Sequence, residues 1–251
     1  MDILVTVCGR AGSKGVKNKN IREFLGNPLI NYTLGAAKLF ANKNDKYNVD
    51  ICVNSDSKEL LEIATSFDGV IGIERPACLA QDNSPKIPVI QHSLKYMEEK
   101  LNKVYDYVID LDITSPLRTV EDIQNAFIKI IDHSDIDVVF SVVESRRNPY
   151  FNMVEEKDGD IRKIKESNFV ARQQAPKVYD MNASIYCYMR NSLLNKFERT
   201  PFDGKCDIVL MKDTAVLDID SEEDFELMEI LSRYFFMSEY KEIYDYVKNL
   251  K

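Results

Sequence analysis

Short runs of β-branched and other apolar residues alternate along the chain with longer stretches whose apolar residues recur at helical spacing. The short runs predict strands at 3–8, 49–53, 70–73, 107–112 and 138–143. The longer stretches predict helices at 28–42, 57–67 and 86–102, and one that begins at Thr119 with Asp122 completing a capping box. Repeated strand–helix units predict an α/β fold: a mainly parallel, doubly wound (Rossmann-like) sheet with helices on both faces.

This alternation stops between residues 145 and 180, which are mostly polar. Lys157-Asp158-Gly159 is a hairpin signal within that stretch, so we expect an inserted β-rich arm there. Strands are predicted again at 184–189, 208–211 and 215–219, followed by a helix from Ser221 and a peripheral terminal helix. The predicted organisation is an α/β domain of residues 1–144 and 181–237, an arm of 145–180 and a helix of 238–251.

Composition narrows the function classes. The chain has 251 residues and a formal net charge of −8, and an acidic total argues against general nucleic-acid binding. No stretch approaches the length of apolar sequence that a membrane span needs, and the first residues do not resemble a secretory signal. Five scattered cysteines without CxxC spacing indicate reduced thiols. We therefore expect a cytoplasmic protein without membrane partners.

The loop after the first predicted strand is unusually basic. From Arg10 to Arg22 it carries five basic residues and no acidic one, and glycines precede and interrupt this run. Glycines let backbone N–H groups approach an anion, and lysines neutralise it, so the segment is typical of a polyphosphate cradle. It matches neither GxxxxGK[ST] nor GxGxxG. A solvated basic loop is the alternative interpretation.

Two pairs of aspartates end predicted strands. Asp218 and Asp220 are two residues apart, so in a strand both carboxylates face the same side and can bind one Mg²⁺. Asp110 and Asp112 have the same spacing and could hold metal, orient a substrate, or be one structural and one exposed carboxylate. Arg118 follows them in a Pro-containing turn, as either a clamp for an anionic group or a surface residue.

Several of these segments together resemble one family. Cys8–Gly15 with Lys19-Asn20 is similar to the signature loop of the acylneuraminate cytidylyltransferases, the CMP-sialic acid synthetases. Four further motifs occur in the family's order: Arg75-Pro-Ala-Cys-Leu-Ala-Gln-Asp82, Thr114-Ser-Pro-Leu-Arg118, Ala171-Arg-Gln-Gln174 and Asp218-Ile-Asp220. The resemblance covers residues 1 to 235.

This resemblance implies a nucleotidyltransferase-type fold and an enzyme that uses CTP and Mg²⁺, or Mn²⁺. The anomeric hydroxyl of a nine-carbon α-keto acid sugar would attack the α-phosphorus, and pyrophosphate would leave. The resemblance also implies a homodimer formed through the 145–180 arm. It implies these roles: Arg10, Lys14 and Lys19 at the triphosphate with Ser13 beside them; Asn20, Arg75 and Ser84 at the nucleoside; Asp218 and Asp220 at the metal; Asp112, Ser115, Arg118, Arg172, Gln173 and Asn182 at the substrate.

One position separates the chain from many sialic acid enzymes. Asp112-Ile113 replaces the Gln-Pro that precedes Thr-Ser-Pro-Leu-Arg in them, and Arg146–Phe151 with Asp180–Ser184 resembles the branch that activates legionaminic acid. The general base stays open between Asp112 and a metal-bound hydroxide. Two other functions remain: a metal-dependent glycosyltransferase that uses Asp110 and Asp112 on a sugar nucleotide, and a nucleotide sensor or assembly subunit that binds CTP without turnover.

Overall fold

A computed structural model describes residues 1–12 and 15–250 of the chain. The strands are β1 Asp2–Cys8, β2 Glu23–Phe24, β3 Asn27–Pro28, β4 Asn48–Ser55, β5 Val70–Glu74, β6 Tyr107–Leu111, β7 Val138–Glu144, β8 Val154–Lys157, β9 Asp160–Lys163, β10 Tyr179–Met189 and β11 Cys206–Leu210. The α-helices are α1 Leu29–Lys43, α2 Lys58–Thr65, α3 Lys86–Leu101, α4 Val120–Asp132, α5 Arg190–Asn195, α6 Glu222–Phe235 and α7 Lys241–Lys248.

The central sheet has seven strands in the order β11-β7-β10-β6-β1-β4-β5. Its neighbouring strands are parallel except at β10, which runs antiparallel to both β6 and β7. The predicted α/β class is therefore confirmed, and the mainly parallel sheet brings the carboxyl ends of β1, β4 and β6 to one edge. Ligands of open α/β sheets bind at that edge.

Apolar residues of successive positions along the strands pack on opposite faces of the sheet. On one face they form a core with α1, α2, α4, α6 and α7, and on the other a smaller core with α3 and α5. In β1, for example, Ile3 and Val5 belong to the first core and Leu4 to the second. Both faces are thus covered, as expected for near-continuous apolar strands.

Two helices begin at the capping boxes that the sequence predicts. The Thr119 hydroxyl accepts the Asp122 N–H at 3.0 Å, and the Ser221 hydroxyl accepts the Asp224 N–H at 3.1 Å. Each aspartate carboxylate in turn accepts the backbone N–H of the cap residue. These caps fix the start of α4 and of α6, and α6 begins two residues after Asp220.

The segment predicted as an arm contains a two-stranded hairpin, β8 and β9. Asp158 and Gly159 connect the strands with φ values of 58° and 86°, the left-handed pair that a two-residue turn requires. The hairpin is exposed along both strands, and a single turn of 3-10 helix at Arg172–Gln174 follows it. β10 begins at Tyr179, within the predicted arm and five residues before the predicted strand start at 184.

Two predictions about the C-terminal part were wrong. Residues 215–219 do not form a strand: a 3-10 helix spans Asp213–Val216, and Ile219 donates its N–H to Thr114 O at 3.2 Å instead of joining the sheet. The terminal helix is not peripheral either, because Ile243 and Val247 of α7 are buried in the larger core. Across residues 1–12 and 15–250, no helix combines the length and apolarity required to cross a bilayer.

Candidate active site

The loop after β1 turns sharply at the carboxyl edge of the sheet. Gly9 donates its N–H to Asn54 O of β4 at 3.2 Å. A Cβ atom at Gly9 would lie 2.8 Å from side-chain carbons of both Ile113 and Leu60, so only glycine fits without displacement. The basic segment therefore starts in close contact with the segments that follow β4 and β6.

The basic loop packs directly on the loop that carries the acidic pair. Lys19 donates to the backbone carbonyl of Ile219 and lies 3.2 Å from Asp220 Oδ1. A Cβ atom at Gly15 would lie 1.7 Å from Asp220 O, which shows how closely the two backbones approach. Sequence reasoning proposed these segments separately as a phosphate cradle and a metal site, and the fold brings them together.

Other contacts hold the amino-terminal part of this loop. Arg10 forms an ion pair with Asp82, and its carbonyl accepts a hydrogen bond from the Asn20 amide at 3.2 Å. The Ala11 N–H donates to Asp56 Oδ1 at 2.8 Å. Arg10, Lys19 and Asn20 thus lie in one connected loop, whereas the predicted Ser13 and Lys14 lie outside the described residues.

Arg75, a second nucleoside candidate, lines a cleft beside this loop. Arg75 donates to Asn54 Oδ1 at 2.9 Å and to Asn54 O at 2.8 Å, which orients its guanidinium at the end of β5. An open cleft of about 520 Å³ is lined by Asp56, Glu74, Arg75, Pro76, Ala77 and Ala80. Ser84 is half-buried on the adjoining segment, with its hydroxyl 3.4 Å from Cys78 O.

Asp218 and Asp220 have the properties that a divalent cation requires. Burial raises the pKa of Asp218, and the charges of Asp112 and Asp220 add to that increase. Asp220 is 79% exposed and contacts Lys19. A cation would relieve this carboxylate repulsion, and Mg²⁺ needs only one or two carboxylates when phosphate and water complete its shell. The residues therefore fit the implied metal, although the described part of the chain holds no cluster of three or more His, Cys, Asp or Glu side chains arranged as a metal cage.

The other acidic pair shares a cation that the protein itself supplies. Lys86 Nζ lies 2.7 Å from Asp110 Oδ2 and 2.7 Å from Asp112 Oδ2. Asp110 is fully buried, and it also accepts the Thr6 hydroxyl at 2.7 Å. Burial opposes the charge of Asp112, but Lys86 and Thr114 outweigh it and hold the pKa of Asp112 well below its usual range. Asp112 is therefore a weak candidate for the general base.

Three residues predicted to contact substrate have their polar groups bonded inside the protein. Arg118 is 1% exposed, and its guanidinium donates to the backbone carbonyls of Asp112, Ser115 and Ser184. The Ser115 hydroxyl donates to Asn182 O at 3.2 Å, and the buried Asn182 amide oxygen accepts the Ser141 hydroxyl at 2.6 Å. Ser115, Arg118 and Asn182 are buried and bond to backbone and side-chain partners, so their contact with substrate stays a prediction.

Arg172 and Gln173 lie in a second pocket, next to the end of β7. Arg172 donates to Ser145 O at 2.7 Å and lies 3.8 Å from a Glu144 carboxylate oxygen. The pocket has a volume of about 410 Å³, and Asn148 and Lys177 also line it. Both predicted residues are therefore accessible at the junction of the arm and the sheet.

Sequence reasoning missed Lys86, which is central to this site. The helix N-terminus is the positive end of the helix dipole, so a lysine there is unfavourable unless its charge is used elsewhere. α3 has no acidic residue in its first turn that would offset this charge. A lysine that opens a predicted helix was therefore the signal that could have identified it.

Comparison with known proteins agrees with this geometry. A sequence profile described as cytidylyltransferase matches residues 4–248. The chain belongs to this cytidylyltransferase family. A relative from Campylobacter coli, the post-translational flagellin modification protein B, is 41% identical over 92% of this chain and 94% of its own length. The CMP-N,N'-diacetyllegionaminic acid synthase of Campylobacter jejuni is 39% identical, with the same coverage of both chains.

A solved structure with 14% sequence identity supports the fold. It is a CMP:2-keto-3-deoxy-manno-octonic acid synthetase complexed with CTP, and the alignment has a TM-score of 0.68 over 93% of this chain and 99% of that one. Membership of the cytidylyltransferase family also argues against the glycosyltransferase alternative. In this cytidylyltransferase Asp110 is buried and Lys86 lies between Asp110 and Asp112, so that pair is not an open site for a sugar-nucleotide metal.

Proposed function

We propose that this cytidylyltransferase transfers CMP from CTP to the anomeric hydroxyl of a nonulosonic acid of the legionaminic type. The hydroxyl oxygen loses its proton and forms a bond to the α-phosphorus, the bond from that phosphorus to the oxygen bridging to the β-phosphate breaks, and pyrophosphate leaves. The observation that carries this proposal is the contact of the basic loop with the acidic pair through Lys19 and Gly15. A polyphosphate loop and a metal site in contact suit phosphoryl transfer.

Each predicted site residue then has its own role in the reaction. Arg10 and Lys19 neutralise charge that accumulates on the leaving pyrophosphate, together with Lys14 and the neighbouring Ser13. Asn20, Arg75 and Ser84 hold the nucleoside beside the cleft at the end of β5. Arg172 and Gln173 approach the sugar from the arm. Ser115, Arg118 and Asn182 keep the strand-end loops in place.

Asp218 and Asp220 are proposed to hold Mg²⁺, with Mn²⁺ as an alternative. When bound, such an ion supplies charge neutralisation at the phosphoryl oxygens and at the attacking hydroxyl. The raised pKa of Asp218 and the nearby charges of Asp112 and Asp220 support this assignment, because the cation removes an existing repulsion.

Legionaminic acid is favoured as the sugar for two reasons. The Campylobacter jejuni relative at 39% identity is named for the N,N'-diacetyl derivative of that sugar. In addition, an ionised Asp112, paired with Lys86, stands at the end of β6 where many sialic acid enzymes have an amide, and this departure resembles the legionaminic acid branch.

Pyrophosphate release tests the reaction directly. The protein would be assayed with CTP and Mg²⁺ against legionaminic, neuraminic and pseudaminic acid derivatives, with a reaction without sugar as control. We expect release with the legionaminic derivative that a chelator abolishes. If no sugar gives pyrophosphate release although CTP binds, the sensor function would be favoured. The absence of CTP binding would contradict the proposal altogether.

Amide substitutions test the metal pair. Asp218→Asn and Asp220→Asn should each lower turnover by about two orders of magnitude while circular dichroism stays unchanged. Glu223→Gln is the matched control, because Glu223 is exposed in the first turn of α6 and its carboxylate has no described contact. Full activity of either aspartate variant at saturating Mg²⁺ would remove that residue from the metal site.

We propose a homodimer that forms through residues 145–180. Val154 and Ile161 are 61% and 67% exposed, and the register of β8 and β9 puts both on the same face of the hairpin. A mostly apolar groove of about 570 Å³ adjoins the base of the arm and contains Pro149, Met153 and Ile164. A second copy would bury this exposed apolar surface, and surface of this kind marks contacts between proteins.

Light scattering coupled to size exclusion tests this assembly. The double variant Val154→Asp/Ile161→Asp should shift the molar mass from dimer to monomer. Glu155→Gln lies on the same hairpin but removes no apolar surface, so it should leave the mass unchanged. A monomeric wild type, or a dimer that survives the double substitution, would contradict the arm interface.

We also propose that the protein works in the cytoplasm. Its five cysteines are free thiols, and two of them, Cys52 and Cys187, are buried. Burial raises the pKa of both thiols, so they stay protonated and inert as packing residues. A reducing compartment is where unpaired thiols of this kind persist.

A further inference from the structure

Lys86 is the first residue of α3, and its ammonium group joins two carboxylates at the end of β6. Both Asp110 Oδ2 and Asp112 Oδ2 lie 2.7 Å from Lys86 Nζ. The Lys86 side chain is 33% exposed, whereas Asp110 is fully buried and hydrogen-bonded to Thr6 of β1. One cation supplied by the protein therefore holds the whole Asp110–Asp112 pair.

The two acidic pairs at this sheet edge differ in how far their carboxylates are bonded within the protein. Asp112 Oδ1 accepts the Thr114 N–H at 3.0 Å and the Thr114 hydroxyl at 2.8 Å, while its Oδ2 contacts Lys86. Both oxygens of Asp112 are thus committed to the protein. Asp218 Oδ1 accepts the neighbouring Ile219 N–H at 2.9 Å, and Asp220, beside Lys19, is largely exposed.

The position of Lys86 carries an electrostatic cost that the two aspartates offset. The N-terminus of α3 is the positive end of the helix dipole, and its first turn contains no acidic residue. Without the lysine ammonium, Asp110 Oδ2 and Asp112 Oδ2 would face each other with no positive charge between them. That arrangement is the kind of site a hard divalent cation enters, since carboxylate oxygens are its preferred ligands.

We propose that Lys86 is a positioning residue whose ammonium fills the space between Asp110 and Asp112 and so directs the divalent cation to Asp218 and Asp220. This inference deepens the proposed function and rests on it. It explains why two aspartate pairs of the same spacing, both at the sheet edge, have different roles.

Binding of Mn²⁺, followed by electron paramagnetic resonance with CTP present and no sugar, tests the proposal without turnover. In the otherwise unchanged protein, Asp220→Asn should weaken Mn²⁺ binding about tenfold, because it removes a proposed ligand. Asp112→Asn should change it less than about twofold, because Lys86 keeps Asp112 from the ion.

Lys86→Met removes the charge and keeps a side chain of similar length. It should raise Mn²⁺ affinity about tenfold or add a second bound ion, since two carboxylates become available. Adding Asp112→Asn to Lys86→Met should abolish that increase. Lys86→Arg retains the cation and should behave like the wild type. Lys95→Met, an exposed position on the same helix, is the matched control and should have no effect.

Either of two results would overturn the proposal: unchanged Mn²⁺ binding in a folded Lys86→Met protein, or a loss in Asp112→Asn as large as in Asp220→Asn. If Lys86→Met does not fold, Lys86→Arg and the single Asp112→Asn variant still decide the question. Failure of the proposed function would be visible separately, as absent pyrophosphate release by the wild type with every sugar, while its Mn²⁺ titration stays interpretable.

Discussion

Arg118 shows how a buried side chain can resemble a binding residue in the sequence. It follows a Pro-containing turn at the end of β6, where an arginine could clamp an anion, yet its guanidinium donates to the carbonyls of Asp112, Ser115 and Ser184. Burial lowers the pKa of Arg118 to about 10, so it stays charged at neutral pH. The charge-assisted hydrogen bonds join the segment after β6 to β10 behind the active site.

Arg118→Met should therefore lower stability more than ligand affinity. We expect a loss of about 3 kcal/mol in the free energy of unfolding, because buried carbonyls lose their donors. Urea denaturation followed by circular dichroism measures this loss, and Arg199→Met, an exposed substitution, should stay within about 0.5 kcal/mol of wild type. A stable variant with greatly weakened CTP or sugar binding would instead identify Arg118 as a clamp.

Gly15 tests whether the basic loop must contact the acidic loop. A methyl group at this position would overlap the Asp220 carbonyl, so Gly15→Ala must separate the two segments. We expect CTP affinity to fall by about tenfold or more, because the loop then loses its alignment with Asp220. Calorimetric titration with CTP measures the change.

The matched control is Gly159→Ala in the turn of the arm hairpin. Gly159 has a φ of 86°, and a methyl group added there would touch no neighbour, so this variant strains a turn away from the basic loop. Its CTP affinity should equal that of wild type. Equal CTP affinity in Gly15→Ala as well would show that the loop adapts and that the close contact is not needed.

The residues whose own segments predict a role share a physical feature. Gly9, Lys19 and Asp220 act through local charge or backbone geometry, which the composition of their own segments reveals. Lys86 and Asn182 act through partners far along the chain: Lys86 contacts Asp112, and Asn182 contacts Ser141. Such pairings depend on sheet topology, so a single segment can mark a residue as unusual, as with Lys86 at the start of a helix, but cannot identify its partner.

At the scale of elements, the signals with a local cause were reliable and those that depend on packing were not. The capping boxes of α4 and α6 and the Asp158-Gly159 turn satisfy backbone groups within a few residues, and each formed as predicted. Residues 215–219 have the apolar character of a strand, and Ala215 and Ile219 are in fact buried. Their backbone groups are bonded within a 3-10 turn and to Thr114, which burial alone does not reveal.

Asp137 joins three elements through one carboxylate. It precedes β7 and accepts hydrogen bonds from Ser192 and Lys196 at α5 and from the Lys205 N–H before β11. Burial alone would raise the pKa of Asp137, but these hydrogen bonds outweigh it and hold the pKa below its ordinary value of 3.8. A carboxylate whose pKa is depressed in the folded state stabilises that state only while it is ionised.

Asp137→Asn should lower the free energy of unfolding by about 2 kcal/mol at neutral pH. The difference between wild type and variant should be constant above the ordinary value of 3.8 and shrink as the pH falls through the lower folded pKa. Urea denaturation at a series of pH values measures it. Asp132→Asn, exposed at the end of α4, is the control and should change stability little. A difference that grows in acid would contradict this role.

At the scale of the whole molecule, the sheet divides the protein into two unequal cores. The smaller core lies beneath α3, and the polar Lys86–Asp110 contact lies at the edge of that face. The larger core needs five helices, the last of which packs on α1 at Gly35, where a Cβ atom would lie 2.9 Å from Val247. The terminal helix is thus part of the folding unit that positions the active-site loops.

Val247→Ala tests that cooperativity. Val247 is fully buried, so removing its methyl groups should lower the free energy of unfolding by about 2 kcal/mol through lost burial and a residual cavity. Because α7 belongs to the main core, far-UV circular dichroism and tyrosine fluorescence should shift together in denaturant. Val104→Ala, at a position 63% exposed, is the matched control and should unfold like the wild type. An early transition confined to a small part of the helical signal, with the main transition unchanged, would show that α7 unfolds separately from the active-site domain.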